Sequence, residues 1–178
     1  VRDAGSARSA TAGTLLTVPR LGPGALSSPI AVYEAAPRTR TDSLPTFVTS
    51  PRATAAFGRD SVIPVYLEAY GAPALGGAGA AGGEARVPVT LTVRNDRGGT
   101  LWRDTVTLAR RTPVPPAAGR TPLYSGVVNV PVSRVGVGVA SLVARRTDTT
   151  SATAGLVATA DSARTPIFVS FGDELPVT

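Results

Sequence analysis

The sequence predicts an all-β protein, an immunoglobulin-like antiparallel β-sandwich, on three observations. Apolar residues make up 43% of the chain but aromatics only 5%, so small side chains, Val and Thr prominent among them, must fill the core. Side chains branched at Cβ lose rotamer freedom in a helix and pack well on a pleated surface. Apolar and polar residues alternate with period two in segment after segment, and no stretch makes a credible helix. Clusters of Gly, Pro and Asp break these segments at short intervals, as turns do between the strands of a sandwich. At 178 residues the chain can bury one core and is short for two.

The elements follow in chain order. Residues 1–13 are small, polar and aperiodic and read as a flexible lead-in; 14–178 read as a single sandwich domain, irregular with short strands over 14–58 and forming the main sandwich over 59–178. Residues 14–18 ("TLLTV"), 30–34 ("IAVYE") and 47–49 are short candidate strands, after which "SPRATAAFGRD" turns the chain. In "DSVIPVYLEAYG", Ile63, Val65, Leu67 and Ala69 share one face of a strand while Tyr66, Glu68 and Tyr70 share the other. Pro64 lacks an amide hydrogen and marks an edge or a bulge there. The Gly/Ala tract 71–85 reads as a loop. Val87, Val89, Leu91 and Val93 then alternate with polar residues, "NDRGG" tolerates positive φ, and 101–108 run back, which makes a β-hairpin. On the return strand Asp104 shares a face with Trp102, Val106 and Leu108, a conflict that a bulge or an edge position resolves. Residues 123–132, 139–146, 156–160 and the alternation Ile167, Val169, Phe171 supply the remaining strands, with "SRVGVG" and "TDTTSATAG" as turns.

Two stretches, "SPRATAAFGRDSVIPVYLEAYG" and the series "VPVTLTVRNDRGGTLWRDTVTL", "VNVPVSRVGVGVASLVARRTD", "TPIFVSFGDELP", resemble the β-sandwich region that precedes the C-terminal domain of bacterial GWxTD domain-containing proteins. The resemblance covers residues 50–178 and implies an extracytoplasmic sandwich. The Gly-Trp-x-Thr-Asp motif that names the family is absent, and Trp102 sits in "LWRD". No catalytic residue carries over.

The chemistry is bounded by what the chain lacks. All 18 basic residues are Arg, and there is no Lys, His, Cys, Met or Gln. Serine catalysis therefore has no ordinary base, and thiolate catalysis, disulfides and cysteine-held zinc are excluded. Asp148, Asp161, Asp173 and Glu174 lack the dense spacing of a calcium loop, and "GVGVA" is followed by no helix to cradle a phosphate. The expectation is a protein that is not an enzyme, with no catalytic, cofactor or metal residues. Net charge of +6 favours anionic surfaces, but scattered arginines without interleaved aromatics argue against nucleic acid. A start without Met suggests removal of an export signal, and no run is long and apolar enough to span a membrane as a helix.

The candidate interaction residues are the strand-terminal pairs Arg110, Arg111 and Arg145, Arg146, where an acidic partner would dock, and the group Tyr66, Glu68, Tyr70. Solvated caps explain the arginines as well. An outer strand face, or packing under a loop with Glu68 pairing an arginine, explains the tyrosine group better than an acid catalyst does, because no second carboxylate is placed to face Glu68. The expected function is a non-catalytic structural or interaction module, periplasmic or on the extracytoplasmic membrane face. It would be an accessory subunit stabilising a membrane-associated complex (photosynthetic, respiratory or secretory) through its other protein subunits. The alternative is a carbohydrate-binding sandwich using exposed Tyr66, Tyr70 and Trp102.

Overall fold

The computed structural model describes residues 24–36, 48–71, 86–111, 121–147 and 163–171. The expected lead-in 1–13, the strands at 14–18 and 156–160 and the loop residues 72–85 lie outside them. Among the described residues the elements are β1 (Ile30–Ala35), β2 (Val48–Pro51), β3 (Thr54–Phe57), β4 (Val62–Tyr70), β5 (Arg86–Asn95), β6 (Thr100–Arg110), β7 (Leu123–Pro131), α1 (Val132–Val135), β8 (Gly138–Arg146) and β9 (Ala163–Phe171). The strands form one sheet in the order β2-β1-β4-β7-β6-β5-β8-β9-β3. No helix among the described residues is long and apolar enough to cross a membrane.

The sheet curls so that its inner face encloses the core. Ile63, Val65, Leu67 and Ala69 of β4 and Val87, Val89, Leu91 and Val93 of β5 are wholly buried, as their alternation predicts. They belong to one cluster with Leu142 and Ala144 of β8 and Ile167 and Val169 of β9. The bend falls at β6, which pairs β5 along most of its length but meets β7 only at Ala109↔Ser125 and Arg110↔Tyr124. The first half of β6 therefore has an open side. Asp104 stands exposed there although it shares a face with buried Leu108, so an edge position resolves the conflict read in the sequence. Gly126 lets β7 pass close to β6, because a Cβ at that position would lie 3.0 Å from Leu108 Cδ2.

The turn expected at "SRVGVG" opens as α1, one helical turn that buries Val132 and Val135 in the same core. Four residues are too few to carry a helical period, and burial of two valines three positions apart selects the conformation.

The segment expected to turn the chain between residues 50 and 60 contains β3. A bend at Ala53 separates β2 from β3, and the two halves serve opposite edges of the sheet. The Arg52 amide donates to Ala31 O of β1, whereas the Phe168 amide of β9 donates to Ala53 O. One bent segment thus covers both edges. β3 runs parallel to β9, so the sheet is mixed, which corrects the wholly antiparallel expectation. Direction at this edge depends on a pairing more than a hundred residues distant, which no local pattern encodes.

Three prolines lie inside strands without breaking the ladder. The amides of Glu68 and Tyr70 donate toward Ser27 Oγ and Ala25 O, so Pro64, an even number of residues away, faces the same edge. The last β1–β4 pair is Ala31↔Val65, so Pro64 faces an edge that β1 has already left. Pro88 shares its edge with its own carbonyl, which accepts from Thr147 just past the end of β8. Pro166 precedes Phe168, whose amide makes the bond at the start of β3. Each missing amide hydrogen points where no strand remains.

Candidate functional site

The outer face of β4 holds the Tyr66, Glu68, Tyr70 group, and the structure buries all three, Glu68 to 1% exposure. Tyr66 OH donates to Glu68 Oε1 at 2.8 Å and Tyr70 OH to Oε2 at 2.5 Å. The two hydroxyls grip one carboxylate from either side along the strand. Neither tyrosine offers a ring face to solvent, and Trp102 is half-buried against the core, which corrects the expectation of exposed aromatics for a sugar. β4 lies between β1 and β7 with the 24–27 segment bonded alongside it, and period-two alternation does not announce that its outer face is buried as well as its inner one.

The four strand-terminal arginines separate. Arg146 lies on the inner face of β8, 8% exposed, and donates to Tyr70 O at 3.1 Å, tying the ends of two strands across the core. It is buried and bonded across the core, which corrects the solvated cap expected. Its position is set by alternation with Ala140, Leu142 and Ala144. Arg111 is half-buried and donates from Nε to Ser125 Oγ, and Arg110 pairs in register with Tyr124 of β7. Arg145 alone of the four is exposed.

Arg145 belongs to a wider basic face. The outer positions of β5 carry Thr90, Thr92 and Arg94; Thr92 lies opposite Arg103 of β6 on one side and Val143 of β8 on the other, and Thr90 lies opposite Thr105 and Arg145. All of these side chains but Thr105 line a trough of about 460 Å³, which Arg146 and Thr147 also border. Arg94, Arg103 and Arg145 are exposed, and no Asp or Glu occupies an outer position of β5, β6, β8 or β9 among the described residues. Arg94 and Arg103 were not among the expected site residues. Their signal was present in the hairpin: once its turn is centred on Asn95–Gly99, Arg94 and Arg103 fall on the polar face with the threonines.

The β3–β9 edge is apolar on both of its sides. Core positions hold aliphatic residues and buried tyrosines, yet every described Phe is exposed: Phe57 of β3 with its parallel partner Phe171 of β9, the latter at 69%, and Phe168 opposite exposed Val139. Phe57 also borders a cleft of about 340 Å³ with Asp60, Ser61 and Val132. Asp60 is spoken for at this cleft. Its Oδ2 accepts from the Ala56 amide at 2.7 Å and from Arg52 Nη2 at 2.6 Å. The amide bond first, and then Arg52, hold its carboxyl below 3.8 against a partial opposing effect of burial. A group so held is ionised at neutral pH and has no proton to give.

No family model matches this chain, and comparison with curated proteins and with solved structures likewise finds no match.

Proposed function

We propose that this protein is a non-catalytic docking module: an immunoglobulin-like β-sandwich, akin to the region that precedes a GWxTD domain, acting as an accessory subunit of a membrane-associated complex on its extracytoplasmic face. The observation that carries the reading is the exposure of Phe57, Phe168 and Phe171, every phenylalanine among the described residues, together with Val139 on the neighbouring strands β3, β9 and β8. Phe57 with Phe171 and Phe168 with Val139 form exposed apolar pairs on the two sides of this edge, and exposed apolar pairs clustered at one edge mark a contact with a partner more often than a solvated face. The sandwich reading draws on the curl at β6 and on β2 and β3 crossing between edges, since strands that switch layers through a bend make the corners of sandwiches.

The test is association. The purified chain is mixed with detergent extract of membranes from its source organism and resolved on native gels, parent beside a Phe168→Ser, Phe171→Ser double variant. The parent is expected to enter one defined high-mass band and the variant to stay out of it, with unchanged thermal unfolding. A parent that stays free in the extract, or a variant that joins the band equally well, overturns the proposal.

A further inference from the structure

We propose that the outer face of β5, β6 and β8 docks an extended acidic segment of a protein partner, whose Asp or Glu side chains pair with Arg94, Arg103 and Arg145. This rests on the docking reading and names the chemistry of one partner. The three guanidinium groups are exposed and face no carboxylate among the described residues, which leaves the face positively charged there. Thr90 and Thr105 stand between them with their hydroxyls 3.0 Å apart, and Thr92 completes a row of small donors and acceptors on the floor of the trough.

The spacing suits a peptide. Arg94 is a diagonal neighbour of Arg103 across the β5–β6 pair, which places their Cβ atoms about 7–8 Å apart. Side chains two residues apart on an extended chain project to the same side at about 7 Å, so acids at alternate positions meet successive arginines. Guanidinium forks match carboxylates with two parallel hydrogen bonds, which a point charge would not. Nucleic acid fits less well, because among the described residues no aromatic side chain lines the trough to stack a base. A flat lipid surface fits less well too, because the site is a trough whose one large apolar side chain among the described residues is half-buried Val143.

Fluorescence anisotropy tests the inference with a short labelled peptide alternating Glu and Thr, its Gln-for-Glu counterpart, a single-stranded oligonucleotide and vesicles of phosphatidylglycerol. The acidic peptide is expected to bind tightest, to weaken steeply as salt rises, and to weaken about fivefold for each of Arg94→Gln, Arg103→Gln and Arg145→Gln. Arg134→Gln, an exposed arginine on α1 outside the trough, serves as the control and is expected to leave affinity unchanged. A triple variant that binds as tightly as the parent overturns the inference, as does tighter binding of the oligonucleotide or the vesicles. The docking reading fails by a different signature: the parent binds the peptide and enters no membrane complex.

Discussion

Asp60 does at residue scale what a whole strand usually does. The free edge of β3 presents the Ala56 amide and the Thr54 carbonyl; Asp60 Oδ2 accepts from the first, and Arg52 Nε donates to the second at 2.9 Å. The two side chains then pair with each other at 2.6 Å, and Arg52 lies over the Tyr33 ring at 4.2 Å. Asp60→Asn leaves Arg52, with a side chain only 4% exposed, without its ion pair. The expected cost is about 1–3 kcal/mol, read from urea unfolding. The pH dependence has a definite sign. The folded carboxyl titrates below its ordinary value, so its contribution is complete above the ordinary carboxylate range and is lost as pH falls through the lowered value. The gap between parent and Asp60→Asn should therefore close in acid, below the ordinary carboxylate range. Glu68 tests the other buried cluster. Tyr70→Phe removes a donor from Oε2 inside the protein and is expected to cost about 1–2 kcal/mol, with a similar loss for Tyr66→Phe.

The hairpin of β5 and β6 was the most legible element, because alternation and turn chemistry agree. Gly98 sits at φ 81°, and Asn95 Oδ1 accepts from the Gly99 amide at 2.7 Å to close the turn. Gly98→Ala puts a Cβ in a left-handed conformation and is expected to cost about 1–2 kcal/mol. Leu91→Ala, at the wholly buried middle of β5, should cost about 2–5 kcal/mol. Pro88→Ala, by contrast, is expected to change stability by less than about 1 kcal/mol, since its position faces no strand and the substitution mainly frees the unfolded chain. One series of denaturant midpoints checks all three. Elements that alternation did not reveal were those made by distant partners: β3 takes its form from β9, and α1 from the core it closes. The candidate site divides in the same way. Arg145 was legible as a strand-end charge, whereas Arg146 next to it is buried, and Arg94 and Arg103 gained meaning only once β6 and β8 lay on either side of β5.

At the scale of the whole molecule, the open edges of a curled sheet invite pairing with another chain, and this fold meets the hazard with one bent segment and its Arg52–Asp60 clamp. Arg52→Ala should both lower the unfolding midpoint and raise self-association, because the edge of β3 loses a partner at Thr54 and the ion pair that steadies Asp60 on Ala56. Light scattering at matched concentrations checks this; an Arg52→Ala protein no more associated than its parent removes the clamp from the account. The two exposed surfaces are then what the closed fold leaves for partners: phenylalanines beside the protected edge, and arginines on the outer face of β5, β6 and β8.

Composition and period-two alternation were enough to determine an all-β chain, the inner faces of β4 and β5, and the turn between β5 and β6. Those features depend on neighbours along the chain and on the pleat, which every residue reports locally. The tertiary structure alone decided that the outer face of β4 is buried, that β3 runs beside β9, and that three arginines from three strands line one trough. Each of these rests on which strands become neighbours, and strand neighbours are chosen by the burial of the assembled sheet rather than by any single segment.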